Sequence, residues 1–181
     1  MSKQVETKRQ KTRRKILHAA KGLFEQKGIE NVSFADIAEE ADICRTTVFN
    51  HFAGTDGLLS ALLEEEIADL ERYCEEQGQQ GKARIEILFD KLIEDTANYP
   101  VLTYRVSASG VLGKSRHNPL GRIEDMIMKN LPEPDMMRTL AIMGFYYGLV
   151  NHYHAQGKFF DAEQMKGEFH QMLDMLCIDS R

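Results

Sequence analysis

Between Arg45 and Phe52 the chain crowds six side chains able to recognise a nucleic acid onto one short segment: Arg45, Thr46, Thr47, Phe49, Asn50 and His51. Arg45 carries a planar fork of N–H donors whose geometry matches O6 and N7 of guanine. Thr46, Thr47 and Asn50 have short polar ends that reach base edges or phosphate oxygens, and the Thr47 methyl matches a thymine methyl. Phe49 can pack on sugar. His51 suits a phosphate, a contact that positions a protein without specifying sequence. Enzyme chemistry finds less support. The chain offers no nucleophile–base–oxyanion set. Its Gly113-Lys114-Ser115 lacks the earlier glycine and the preceding strand that a phosphate-binding loop requires.

Those six residues need a rigid support, and the flanking sequence supplies one. Ser33 caps a short helix in which Asp36 reaches back three residues and Ile37, Ala38 and Ala41 share one face. Asp42-Ile43-Cys44 breaks the chain, with Ile43 as an apolar plug. A second short helix runs from Arg45 to Phe52. Val48 and Phe52, four apart, turn inward and leave the polar set outside. Two short helices crossing at a tight turn form a helix-turn-helix, whose second helix enters the DNA major groove.

Phe34-Ala35-Asp36-Ile37-Ala38-Glu39-Glu40-Ala41, then Thr47-Val48-Phe49-Asn50-His51-Phe52, then Leu58-Leu59 resemble the DNA-binding module of TetR-family bacterial transcriptional regulators. The resemblance spans about residues 10 to 63. Four positions depart from the family pattern: Asp42 replaces its usual Gly, Cys44 a capping Ser, Phe49 a Tyr, and Thr55 a frequent Lys. Phe49 loses a phenolic donor to phosphate. Thr55 can cap the following helix but removes one cation from the phosphate clamp. The resemblance implies an all-α protein with a three-helix DNA-binding domain over residues 1–54. A helical effector-binding and dimerisation domain is expected over 55–181.

The 181 residues carry a net charge of −5, unevenly placed. Residues 1–15 hold seven Lys/Arg, Lys11 among them, and one acid, while residues 58–181 carry −7. A basic arm on an acidic body suits a protein that meets a polyanion with one end only. Cys44, Cys74 and Cys177 are odd in number and have no metal-ligand spacing, which fits a reducing compartment. No apolar segment follows the basic arm, and the longest apolar stretch, Leu140 to Val150, is about half a membrane span. The expectation is a soluble cytoplasmic protein without membrane contact.

The remaining chain reads as helices throughout. An opening helix over Gln10–Gln26 buries Ile16, Leu17, Ala20, Leu23 and Phe24 and ends at Gly28. Capped by Thr55 or Asp56, a long helix reaches Glu76 and could act as a lever. Helices follow over Lys82–Ala97, Val101–Val111, from Asn118-Pro119 to Leu131, over Asp135–Gln156, and from Asp161, whose pairing with Gln164 suggests a capping box. The Asp135–Gln156 helix carries one stripe of Leu140, Ala141, Gly144, Gly148, Asn151 and Ala155. A second stripe holds Met136, Met143, Tyr147 and Val150, so both sides should be buried.

By the family resemblance, the last two long helices pair with their symmetry mates in a homodimer, and the operator is an approximate palindrome in double-stranded DNA. The helices between them would enclose a pocket. Phe89, Tyr99, Tyr104, Met126, Phe145, Tyr146 and Tyr147 are its candidate walls, suited to an apolar or aromatic small-molecule effector, although such stripes also make plain core. His152 and His154 sit two apart on different helix faces and make a poor metal site; no cofactor or metal is expected. The reading is a DNA-binding regulator, a repressor released by its effector. The alternative is a DNA-associated adaptor or scaffold controlled by a protein partner, without a small molecule.

Overall fold

The computed structural model describes residues 7–108, 119–157 and 160–176, and all its regular structure is helical. The chain falls into two compact units, one ending at Leu62 and the other beginning at Leu63.

The N-terminal unit contains α1 (Lys8–Lys27), α2 (Phe34–Glu40), α3 (Arg45–His51) and the opening turns of α4 (Thr55–Gln77). α1 starts two residues before the expected Gln10, because Thr7 and Gln10 close a reciprocal cap. Thr7 Oγ1 accepts from the Gln10 amide at 3.2 Å, and Gln10 Oε1 accepts from the Thr7 amide at 2.8 Å. Gly28, at φ 79°, ends the helix in a backbone region that suits glycine. Ile16, Leu17, Ala20, Leu23 and Phe24 are buried, joined by Ala19. The expected capping box of α2 is present: Ser33 Oγ accepts from the Asp36 amide at 3.2 Å, and Asp36 Oδ2 accepts from the Ser33 amide at 2.8 Å.

The turn between α2 and α3 explains one departure from the family pattern. Asp42 has φ 52°, the left-handed region that glycine occupies at little steric cost. Its amide still donates to Glu39 O, and that of Ile43 donates to Ala38 O, which closes the end of α2. Val48 and Phe52 are buried as their spacing predicts, and Ile43 is half-buried. Burying each large apolar side chain contributes about 1.5–3 kcal/mol, enough to fix which face of α3 looks outward.

The C-terminal unit contains the rest of α4, then α5 (Lys82–Asn98), α6 (Pro100–Ala108), α7 (Pro119–Met128), α8 (Met136–Ala155) and α9 (Ala162–Leu176). Gly78 and Gly81, both at positive φ, form the break after α4, and Pro100 opens α6 at its first residue. The expected continuation of α6 through residue 111, the loop at 113–118 and Cys177 lie outside the described residues. The core is built on Leu88, Phe89, Ile93, Ile127, Ile142 and Phe169, with the Phe89 and Phe169 rings stacked at 4.3 Å. α5 and α9 pack together with paired charges along their edge. Lys82 meets Asp174 at 2.5 Å, Asp90 meets His170 at 2.8 Å, and Glu94 meets Lys166 at 2.7 Å. α7 is tied to α4 by the Arg122 fork, which donates with both Nε and a terminal nitrogen to the Glu71 carboxylate.

Two expectations change here. At Asp161 half of the capping box forms: its carboxylate accepts from the Gln164 amide, but the Gln164 side chain donates to Glu168 one turn on. More consequentially, α8 is not covered on both sides. Thr139, Ile142, Met143, Tyr146, Leu149, Val150 and Tyr153 face the core. Leu140, Ala141, Gly144, Gly148, Asn151 and Ala155 are all exposed. Met136, Met137 and Leu140 are 48%, 75% and 49% exposed, and Met175 on α9 is 67% exposed. The small-residue stripe is therefore a naked face of this single chain.

Candidate nucleic-acid interface

α3 presents Arg45, Thr46, Phe49 and Asn50 on its exposed side, because Val48 and Phe52 anchor the opposite side. The Arg45 guanidinium carbon lies 5.3 Å from the Phe49 ring centroid. Phe49 is 50% exposed and rests on the Phe34 ring, centroids 4.9 Å apart and planes inclined at 49°. Thr47 is half-buried; its hydroxyl lies 2.9 Å from Cys44 Sγ, and the Thr46 hydroxyl donates to the same sulfur at 3.4 Å. Those two hydroxyls hold the Cys44 thiol down at about 7, Thr46 contributing most. Cys44 thus stands at the N-cap position of α3 without serving as a side-chain cap. In the sequence Cys44 stands out only as the residue in place of a capping serine; the signal for its lowered thiol is the pair of threonines two and three residues on.

The basic arm reaches the other end of α3. Arg13 places its guanidinium 4.7 Å from the Phe52 ring centroid. The half-buried His51 is held below the ordinary imidazole range, first by loss of solvent and then by the charges of Arg9 and Arg13. The sequence singled out Lys11, whereas Arg9 and Arg13 are the arm residues that lie beside the end of α3; their spacing of four puts them on one helix face. Lys11 is exposed. The first turn of α1 holds Lys8 and Arg9 and no acid, an arrangement that opposes the positive end of the helix dipole. Ser33 commits its hydroxyl to the α2 cap, where it also holds the Asp36 carboxyl below the usual carboxylate range. Thr55 is the first residue of α4 and is half-buried.

The seven pocket candidates divide. Phe89 and Tyr146 are core, 5.7 Å apart by ring centroid. The Tyr146 hydroxyl lies 2.7 Å from Thr96 Oγ1, and burial pushes its phenol well above the usual range. Met126, Phe145 and Tyr147 pack partly buried against that core, and burial raises Tyr147 to about 12. Tyr99 and Tyr104 are half-buried, and Tyr104 stacks on the His154 ring at 3.6 Å. His152 lies against the Gln156 side chain at 2.7 Å, so the two histidines serve different neighbours.

A short helix held by buried apolar anchors, with a polar outer face and arginines at its end, defines a helix-turn-helix unit, here joined to a second helical unit. Residues 16–62 match the model of the bacterial regulatory proteins of the tetR family. No protein among the curated sequences matches the chain. Among solved structures, a member of the TetR family from Streptomyces coelicolor A3 superposes with a TM-score of 0.69 at 17% identity, covering 93% of this chain and 99% of that one. A transcriptional regulator of the TerR/AcrR family from Aquifex aeolicus VF5 gives 0.66 at 20% identity, covering 91% and 99%. The fatty acid degradation regulator FadR from Bacillus halodurans gives 0.67 at 16% identity, covering 90% and 94%. The N-terminal unit is a TetR-family helix-turn-helix domain, and the chain has the all-helical fold of TetR-family transcriptional regulators. No described helix is long and apolar enough to cross a membrane.

Proposed function

We propose that this chain is a sequence-specific, DNA-binding transcriptional regulator that works in the cytoplasm as a homodimer on an approximately palindromic operator. The outward face of α3 carries the proposal: Arg45, Thr46, Phe49 and Asn50 are exposed while Val48 and Phe52 hold the helix from behind. Arg45 reads guanine, and Thr46, Thr47 and Asn50 reach base edges or phosphate. Lys11, Phe49, His51, Thr55 and the helix start that Ser33 caps meet the backbone, Phe49 through sugar packing. The naked face of α8 with the exposed Met175 of α9 is the dimer surface, because monomers rarely leave large apolar patches open. Two copies related by a two-fold axis present two α3 helices to two half-sites.

The regulator acts as a repressor released by an apolar or aromatic molecule in the C-terminal unit, with Tyr99, Tyr104, Met126, Phe145 and Tyr147 beside Phe89 and Tyr146. Release requires the effector to bind one arrangement of the dimer more tightly than another. One observation favours the second reading, an adaptor answering to a protein partner. Phe89 and Tyr146 are already packed on Phe169 and Thr96, so an effector would have to displace the chain's own side chains.

A titration of labelled mixed-sequence duplex with purified protein tests the shared premise. Binding should weaken steeply with salt as phosphate counterions are released, the logarithm of affinity falling by about 0.9 per neutralised phosphate per decade of salt. Folded protein that binds no duplex at low salt would refute both readings.

A further inference from the structure

We infer that Phe49 sets operator specificity by holding the Arg45 guanidinium in its base-reading pose; it is a positioning residue for Arg45 as well as a surface residue that can touch DNA. The inference rests on the reading of α3 as the recognition helix. Its physical basis is the run of contacts from Arg45 through Phe49 to Phe34. The guanidinium carbon sits 5.3 Å from the Phe49 centroid, and the Phe49 ring is itself 4.9 Å from the buried Phe34 ring. An arginine on the exposed side of a helix ordinarily samples many rotamers, and ordering it opposes binding. Cation–π stacking uses the flat face of the guanidinium. The in-plane N–H groups stay free, and those are the donors that fit O6 and N7 of guanine.

The Phe49 ring meets both Phe34 and the Arg45 guanidinium. Phe34 fixes the ring, the ring limits the arginine, and α3 keeps Arg45 and Phe49 one turn apart on a common face. Removing the aromatic face while keeping apolar bulk should therefore weaken base discrimination at the position Arg45 reads, and leave the other positions of the site alone. An exposed cation–π contact corresponds to about two- to fivefold in an equilibrium constant, which is the loss of discrimination expected.

The test uses the full-length chain and duplexes it has selected from a random library. Affinity is measured for the selected duplex and for duplexes in which each guanine pair is replaced in turn, with wild type, Arg45→Ala, Phe49→Leu, Phe49→Tyr, and Arg45→Ala combined with Phe49→Leu. Phe49→Leu should lower discrimination about two- to fivefold at the guanine whose importance Arg45→Ala abolishes. Phe49→Tyr should keep it, and Phe49→Leu should change nothing further once Arg45 is alanine. Thermal melts identify any variant that fails to fold, in which case Phe49→Met replaces Phe49→Leu. Undiminished discrimination in folded Phe49→Leu would overturn the inference, as would a loss that persists in the Arg45→Ala background. If wild type selects a site that Arg45→Ala leaves unchanged, Arg45 is not the reader and this inference falls while DNA recognition stands. If wild type selects no site, both fall.

Discussion

Gly144 and Gly148 give the dimer proposal an unusual lever, because the monomer and the dimer predict opposite signs for the same substitution. Both glycines lie on the exposed face of α8, and a Cβ built at either meets nothing within 4 Å. In an isolated chain, replacing both with leucine relieves two helix-interior glycines, each about 0.8–1 kcal/mol worse than alanine. The sum, about 1.5 kcal/mol after leucine's slightly lower propensity, should raise Tm by roughly 4–6 °C. If the face instead packs closely on its mate, two-fold symmetry places four new leucines in one interface. At about 1 kcal/mol or more of overpacking each, the dimer loses at least about 4 kcal/mol, about three decades in Kd. Sedimentation velocity over a wide concentration range measures the second quantity, and melts at the dilute end measure the first. The account predicts a dimeric wild type and a well-folded monomeric double variant. A double variant that dimerises with the wild-type Kd would refute the assignment of this face, and a wild type that stays monomeric at every concentration would refute dimerisation itself.

Three further outcomes are expected. Cys44, held at about 7 by the Thr46 and Thr47 hydroxyls, should alkylate at a rate that rises with pH through a midpoint near 7, whereas Cys74, buried and with its thiol pushed up by that burial, should react only on unfolding; peptide mapping by mass spectrometry separates the two, and an ordinary thiol midpoint for Cys44 would contradict the hydrogen-bonded geometry. Asp42→Gly should stabilise the N-terminal unit by about 0.5–1 kcal/mol, because glycine occupies φ 52° without the Cβ conflict although it also loses more chain entropy; a lower urea midpoint would show that the aspartate side chain compensates for its strain. Lys11→Ala should weaken binding to selected and mixed duplexes alike and reduce the salt slope by about 2, one phosphate contact from each protomer, whereas Arg45→Ala should relax sequence preference; a Lys11→Ala variant with altered preference would show that the basic arm reads bases.

The sequence made the N-terminal unit legible because its signals are local. Ser33 and Asp36 cap each other over three residues, and Val48 and Phe52 share a face over four, so neither depends on what packs elsewhere. The start of α1 was placed two residues late, at Gln10, although Thr7 and Gln10 have the spacing of a cap. What lay beyond sequence was the outcome of competition between neighbours. Spacing places Arg45 beside Phe49, but only a particular rotamer stacks them. Spacing likewise gives α8 two apolar faces, but not that one is filled by its own chain and the other left open. The aromatic residues of the C-terminal unit were least legible. Phe89 and Tyr104 look alike as pocket walls in sequence, yet one is sealed against Phe169 and the other stacks on His154.

Selection of bound duplexes from a random DNA library by the purified chain tests the central claim most directly. The account predicts an enriched, approximately palindromic consensus with a guanine in each half-site whose preference disappears in Arg45→Ala. Protein that is folded yet enriches no sequence at low salt would contradict it.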